Sequence, residues 1–146
     1  MINISQAASA VGLSTKAIRD YETANLIHPM RADNGYRLYN ANDIETLRFI
    51  KHARDVDFSL AQITQLLALR NNPQRASADV KTLVGQHIHM LTHKIERLSS
   101  MRTTLQGWYD QCGGNHQPDC AILTGLSKAA DHGANSQPAA KVPKIR

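Results

Sequence analysis

A chain of 146 residues with a formal net charge of +5 suits one compact domain, or a small domain with an extended element. Only 5% of its residues are aromatic and the apolar residues are mainly aliphatic, which favours packed helices over a β-sandwich or barrel. Residues 1–20 lack a signal-peptide core and no stretch has the apolar length of a membrane span, so we expect a cytoplasmic protein without a membrane partner. The positive charge is compatible with nucleic-acid binding, although residues 128–146 supply much of the excess.

Two short helices joined by a tight turn are predicted at the N-terminus. Ser5 is a good N-cap for the first helix and Gly12 a good C-cap, and Ser14 then begins the second helix. This pattern is typical of a helix-turn-helix. Lys16 and Arg19 lie three residues apart on the second helix, where they could contact DNA phosphates or a base edge. On this segment alone, a solvated helix face is equally compatible with the pattern.

A β-hairpin is predicted directly after these helices. Asn34-Gly35 is a strong hairpin signal, and an alternating, strand-like run follows it. A small hairpin beside a helix-turn-helix forms a wing. Four of its side chains have the charge and polar tips that suit a phosphate backbone: Arg31, Tyr36, Arg37 and Tyr39.

Two further helices should link the wing to the rest of the chain. Asn40 caps a helix over residues 41–55. Ser59 and Gln62 have the spacing of a capping box, which predicts another helix that ends near residues 71–73.

Residues 76–110 contain no proline and are predicted to form one long helix with a coiled-coil seam. One apolar series recurs every seven residues at Val84, Leu91, Leu98 and Leu105, and a second series is interrupted by His87 and Lys94. Such a helix would be about 52 Å long, too long to be buried by a domain of this size. We therefore expect a homodimer. The alternative is a helix that folds back on its own N-terminal domain.

The only two cysteines, Cys112 and Cys120, flank a loop rich in turn-forming residues. Such a loop can bring both sulfurs to one point, where two thiolates would form a soft site that selects Cu(I) or a similar ion. Redox sensing and incidental loop cysteines are the alternatives. After Cys120, residues 121–126 are predicted to form one or two helical turns, and residues 128–146 to form a mobile tail.

Three histidines are further candidate ligands. His116 lies between the cysteines, and His89 and His93 stand four residues apart on the long helix, a spacing able to chelate a divalent ion. Solvated histidines are the more common interpretation in both places.

Taken together, these residues resemble the MerR family of metal-responsive transcription regulators, and within it the copper-efflux regulators. The similarity covers about residues 1–127. Its elements are Lys16-Ala17-Ile18-Arg19 with Tyr21-Glu22, then Arg31, the run 34–39, the run 73–81 and the Cys-x7-Cys loop.

The resemblance implies a mainly α fold in four parts. A winged helix-turn-helix with linking helices would occupy residues 1–72, and residues 76–110 would form an antiparallel coiled coil in a homodimer. Residues 111–127 would form a metal-binding loop and short helix, lying against the start of the partner's long helix, and residues 128–146 a disordered tail.

The resemblance also implies a metal class. Sensors of divalent ions in this family generally have a cysteine at the position of Ser77, so the serine favours a monovalent ion held by Cys112 and Cys120. Two thiolates around Cu(I) carry one net negative charge, which is costly to bury without compensation. Lys81, one turn beyond Ser77, is a candidate for that compensation.

The resulting prediction is a regulator that binds one Cu(I), or Ag(I) or Au(I), per subunit and activates metal-efflux or detoxification genes. It would distort double-stranded promoter DNA, so that RNA polymerase is affected indirectly through the promoter. The predicted DNA-binding residues are Lys16, Arg19, Tyr21, Arg31, Gly35, Tyr36, Arg37 and Tyr39. The alternatives are a redox regulator with a Cys112–Cys120 disulfide, a divalent-metal sensor of the same family, and a metal-buffering protein that does not use DNA. No pattern typical of an enzyme occurs.

Overall fold

The structure, a computed structural model, describes residues 1–135, with the side chains described as far as residue 128. It is mainly helical, as predicted. Its elements in chain order are α1 (Ile4–Val11), α2 (Thr15–Thr23), β1 (Met30–Arg31), β2 (Arg37–Leu38), α3 (Ala41–Asp55), α4 (Leu60–Arg70), α5 (Ser77–Gln111) and α6 (Ala121–Asn135). Its contacts define two compact units, the first ending at Ile88 and the second beginning at His89.

The helix boundaries of the first unit follow from local capping. Asn3, not Ser5, is the N-cap of α1, because Asn3 and Gln6 each accept a hydrogen bond from the other's backbone N–H, both at 2.9 Å. Gly12 ends α1 with a φ of 74°, as predicted. Ser14 begins α2 by accepting a bond of 3.0 Å from Ala17 N–H.

The two linking helices have the predicted boundaries. Asn40 and Asp43 form a capping box at the start of α3, and Ser59 and Gln62 form one at the start of α4. Each box satisfies two backbone N–H groups that would otherwise lack a partner at a helix N-terminus.

The hairpin is a two-stranded antiparallel ribbon. Met30 pairs with Leu38 and Arg31 with Arg37. Gly35 has a φ of 87° and donates its N–H to the Ala32 carbonyl at 2.8 Å, which closes the turn. The ribbon therefore forms the predicted wing after the helix-turn-helix.

The hydrophobic core of the first unit lies between α1, α2, α3 and α4. Its fully buried members include Ala7, Ile18, Leu47, Ile50 and Ile63. A bridge between the backbones of Ile2 and Tyr39, with hydrogen bonds of 2.8 and 3.0 Å, fixes the end of the wing beside the start of α1.

The start of α5 packs on this core. Val80 and Leu83 contact it, and His87 is buried, although the sequence placed it at a polar interruption of an intermolecular seam. The His87 ring stacks on Phe58 with centroids 4.0 Å apart, and its Nε2 donates to the Val56 carbonyl at 2.7 Å. The first turns of α5 thus fold back on their own domain, which was the alternative to a seam along the whole helix.

The later turns of α5 expose apolar side chains instead. Ile95, Leu98, Met101 and Leu105 are each at least 49% exposed. Spacings of three and four residues place them on one stripe of the helix.

The final helix is longer than predicted. Because α6 runs from Ala121 to Asn135, residues 128–135, which were predicted to belong to a disordered tail, are helical. Lys128 and two alanines after it have high helix propensity, and no proline follows before Pro138. Residues 136–146 lie outside the described part of the chain. Across residues 1–135, no helix combines the length and apolarity that crossing a membrane requires.

Candidate functional site

Helix α2, the second helix of the helix-turn-helix and from here on the recognition helix, presents basic side chains from a buried anchor. Ile18 is fully buried in the core and Tyr21 nearly so, which leaves Lys16 and Arg19 exposed on the outer side of the helix. Lys16 is already paired with Asp20, at 3.0 Å between Nζ and Oδ2. The Asp20 carboxylate, one turn away, would therefore compete with a DNA phosphate for Lys16.

Glu22 ties the recognition helix to the wing. One of its carboxylate oxygens accepts a hydrogen bond from Arg37 Nε, and the other accepts one from Arg31 Nη2 at 3.3 Å. Arg31 also donates to the Gly35 carbonyl at 2.9 Å, which fixes it against the turn. These bonds position the wing's two arginines relative to α2.

The charges of the two wing arginines explain why the carboxylate of Glu22 is stabilising between them. Arg31 and Arg37 lie directly opposite each other in the ribbon, and like charges in that position are destabilising. Burial alone would raise the pKa of Glu22, but the hydrogen bond and charge of Arg37, together with Arg31, lower the pKa below its usual value. From the sequence alone, Glu22 is identified only as part of the family motif and is assigned no role. The facing arginines were the signal that could have identified its role.

The two wing tyrosines have different environments. Tyr36 is 71% exposed beside Gly35, where it can reach a ligand. Tyr39 is 1% exposed and its hydroxyl has no hydrogen-bond partner among the described residues. Burial raises the pKa of Tyr39. In this conformation the Tyr39 side chain is therefore part of the core, and its contact with DNA stays a prediction.

A groove brings four of the candidates together, Arg19, Gly35, Tyr36 and Arg37. It is lined by Asn3, Ile4, Arg19, Gly35, Tyr36 and Arg37, from the start of α1, from α2 and from the wing. Basic, aromatic and backbone groups along one groove can contact successive phosphates of a DNA strand.

The second unit brings the two cysteines together at the junction of α5 and α6. Their sulfurs are 3.6 Å apart, and both side chains are half-buried. Cys112 directly follows α5 and donates its N–H to the Trp108 carbonyl at 3.1 Å. Between the cysteines, Gly114 has a φ of 63° and Asn115 Oδ1 accepts the N–H of Gln117 at 2.8 Å, so the loop turns back as its composition predicted.

The N-terminus of α6 stabilises the Cys120 thiolate. The Leu123 N–H is the largest influence that lowers the pKa of Cys120, followed by the hydrogen bond to Cys112; burial acts in the opposite direction, and the Ile122 N–H adds a further lowering. Backbone N–H groups at a helix start favour an anion because they have no partner within the helix.

The sulfur spacing fits a shared metal ion. Bonds of about 2.3 Å from one ion to two sulfurs allow a separation of up to about 4.6 Å when the three atoms are collinear, and less when they are bent. The 3.6 Å between the sulfurs lies within that range. Among residues 1–128, whose side chains are described, no group of three or more His, Cys, Asp and Glu side chains is placed to hold a metal, so His116 does not complete such a group with the thiols.

The other two predicted site residues lie in the first unit. Ser77 is the first residue of α5 and Lys81 follows one turn later, and both are exposed. Exposure leaves them accessible to a partner subunit.

Two family matches cover most of the chain. Residues 2–69 match the family described as MerR HTH family regulatory protein, and residues 44–108 match the family described as MerR, DNA binding.

Several regulators are similar to the chain over nearly their whole length. A probable heavy metal-dependent transcriptional regulator of Haemophilus influenzae is 54% identical over 127 residues, which cover 86% of this chain and 99% of that protein. The HTH-type transcriptional regulator CueR of Escherichia coli O6:H1 is 40% identical over 134 residues, covering 91% of this chain and 99% of CueR.

A solved structure shows the same fold. The transcription regulator PbrR691 of Ralstonia metallidurans CH34, in complex with lead(II), superposes with a TM-score of 0.76 at 29% identity, covering 86% of this chain and 99% of that one. The chain therefore belongs to the MerR family of transcription regulators, which bind DNA and are not enzymes.

Proposed function

We propose that the chain is a heavy-metal-dependent transcription activator that senses Cu(I), or the related ions Ag(I) and Au(I), with one ion per subunit held by Cys112 and Cys120. The observation that carries this proposal is the pair of sulfurs 3.6 Å apart between α5 and α6. Similarity to CueR and to a heavy metal-dependent regulator supports the same class of effector.

Charge and ligand number favour a monovalent ion over a divalent one. Two thiolates satisfy Cu(I), whereas Zn(II) normally takes four ligands, two more than Cys112 and Cys120 supply. Cu(I) with two thiolates leaves one net negative charge. The N–H groups of Ile122 and Leu123 already favour negative charge at Cys120, and Lys81 of a partner subunit would supply a further positive charge.

Homodimerisation is proposed from the apolar stripe on α5. Leu98 is 60% exposed and Leu105 is 53% exposed, and covering them with the equivalent helix of a second copy would remove about 25 cal/mol of unfavourable free energy per Å² of apolar area. In such a dimer, Ser77 of one subunit would lie near the thiols of the other and would withhold a third ligand.

The DNA-facing residues would be Lys16, Arg19, Arg31, Gly35, Tyr36 and Arg37, with the ring of Tyr21 in the core and its hydroxyl reaching a phosphate. Metal binding would change the conformation of the dimer, and the dimer would then distort the promoter DNA. RNA polymerase would be affected indirectly, through the distorted promoter, and the protein would act in the cytoplasm. Such a mechanism uses the deformability of DNA rather than new base contacts.

A Cu(I) competition titration of the reduced protein against a calibrated chelator tests the proposal. We expect one tightly bound Cu(I) per subunit, its loss in Cys112→Ser and in Cys120→Ser, and no displacement by excess Zn(II). His116→Gln is the matched control within the same loop and should bind Cu(I) as the wild type does. Tight Zn(II) with weak Cu(I), or metal binding that does not depend on the cysteines, would reject the monovalent site.

Ser77→Cys tests the selectivity. If a partner's residue 77 approaches the thiols, the added thiolate should raise the affinity for Zn(II) at least tenfold, roughly the effect of one further ligand. An unchanged affinity would show that Ser77 is not part of the site.

A redox regulator is the competing function, and the short sulfur separation is the observation that favours it. Formation of a Cys112–Cys120 disulfide would bring the sulfurs to about 2.05 Å and remove both metal ligands. Promoter activation by a mild oxidant in the absence of metal would support this alternative, and activation by Cu(I) in fully reduced protein would count against it.

A further inference from the structure

The outer face of α5 carries a pair of imidazoles that neither the thiol site nor the DNA-binding surface uses. His89 and His93 are both exposed, and their rings are 5.0 Å apart between centroids in an edge-to-face arrangement. A spacing of four residues puts them on adjacent turns of one helix face. We propose that His89 and His93 form a second metal site, which binds a divalent borderline ion such as Zn(II), Ni(II) or Cu(II).

The ring separation fits two imidazoles on one ion. With metal–nitrogen bonds of about 2.0–2.1 Å at a tetrahedral angle, the centroids of two ligating rings are about 5 Å apart. The centroids of His89 and His93 are already 5.0 Å apart, so the two rings would need only to rotate about their side-chain bonds to bind one ion. Divalent ions of this class prefer imidazole nitrogen, whereas Cu(I) prefers the thiols.

The site would stay open in the proposed homodimer. At about 100° of rotation per residue, His89 and His93 lie roughly 160° around the helix from the middle of the stripe formed by Ile95, Leu98, Met101 and Leu105. A partner helix that covers the stripe would thus leave the histidines in solvent. Among the described residues no cluster of three donors occurs, so two imidazoles would be this chain's ligands and water would complete the coordination.

The test uses Zn(II) alone, titrated into the full chain with Cys112→Ser and Cys120→Ser in competition with a chromophoric indicator. We expect one Zn(II) per subunit, and an affinity reduced at least about tenfold by His89→Gln and equally by His93→Gln, because either change abolishes the chelate. The double variant should bind no more weakly than either single variant. His52→Gln, an exposed histidine on α3, is the matched control and should leave the affinity unchanged.

Zn(II) affinity that is insensitive to His89→Gln and His93→Gln would overturn the proposal, as would an equal loss in His52→Gln. The thiol site is tested separately, because His89→Gln with intact cysteines should bind Cu(I) as the wild type does. Failure of the histidine site therefore leaves the proposed function untouched, and the reverse also holds.

Discussion

The indole of Trp108 lies against Gly125 so closely that a Cβ atom built at Gly125 would be 2.3 Å from Trp108 Cε2. Trp108 lies in the last turn of α5, four residues before Cys112. Gly125 lies in α6, five residues after Cys120. The contact therefore joins the helix that ends at one thiol to the helix that begins at the other. Only glycine leaves room for it, since Cβ contacts this short do not occur in proteins.

Gly125→Ala should disturb the thiol site although it touches neither cysteine. Helix propensity alone favours alanine by about 1 kcal/mol, so any loss must come from displacement of Trp108. We expect about a tenfold loss of Cu(I) affinity, as for other changes to the residues that support metal ligands, and a shift in Trp108 fluorescence. Gly107→Ala is the control, because its Cβ would meet nothing within 4 Å. Equal metal affinity in the two variants would refute the role of the contact.

Tyr39→Phe separates a core role from a DNA contact. The Tyr39 hydroxyl is buried without a partner among the described residues, so its removal should raise the free energy of unfolding by up to about 1 kcal/mol and leave DNA affinity unchanged. Tyr36→Phe, at the exposed position, should weaken DNA binding and change stability by no more than about 0.5 kcal/mol. Chemical denaturation and a DNA-binding titration of both variants measure this. A loss of DNA affinity in Tyr39→Phe would show that the wing opens on DNA.

Local signals in the sequence were sufficient for most helix ends and for the turn of the wing, but not for the N-cap of α1 or the end of α6. Gly12, Asn40 and Ser59 act on their own neighbours within three or four residues, so their effect does not depend on the rest of the fold. Likewise, the loop composition predicted that the sulfurs of Cys112 and Cys120 converge, and they are 3.6 Å apart.

Features that depend on distant parts of the chain could not be predicted in this way. Alternation puts Tyr36 and Tyr39, three residues apart, on opposite faces of a strand, but it does not say which face is buried, and the sequence therefore could not show that only one of them is exposed. A seven-residue repeat identifies an apolar face of a helix but not what covers it, and His87 is covered by its own Phe58. The contact between Trp108 and Gly125 depends on the relative position of two helices, which no local pattern encodes.

Glu22→Gln should lower stability at neutral pH but not in acid. Since the folded-state pKa of Glu22 is below its usual value of 4.5, the ionised carboxylate stabilises the fold above that pH, and this contribution is lost as the pH falls through the folded-state pKa. We expect a difference of about 1 kcal/mol at pH 7 that declines below the usual pKa of 4.5 and is lost once the pH is below the folded-state pKa, measured by urea unfolding at fixed protein concentration. Glu45→Gln, whose partner Arg70 is 3.9 Å away, should change little at any pH. A constant difference down to pH 3 would exclude the ion pairs as its origin.

His87→Ala should weaken the attachment of α5 to the first unit. The change removes the stack on Phe58 and leaves the Val56 carbonyl without its hydrogen bond, which together should cost about 2–3 kcal/mol. Gln86→Ala, one residue earlier and exposed, should be nearly neutral. Hydrogen exchange of the α5 amides near His87 measures the local effect, and equal protection in the two variants would contradict it.

Asp20→Asn tests whether the recognition helix faces phosphates. Asp20 holds Lys16 at 3.0 Å and adds a negative charge beside Arg19, so its neutralisation should free one cation for DNA. The affinity for duplex DNA should rise, and the slope of log K against log salt should become steeper by up to about 0.9, the contribution of one further phosphate contact. Asp55→Asn is a close control, because Lys51 and Asp55 form the same i, i+4 pair at 3.2 Å on α3. If both variants bind DNA alike, the gain reflects net charge alone, whereas a steeper slope confined to Asp20→Asn would place Lys16 against the DNA backbone.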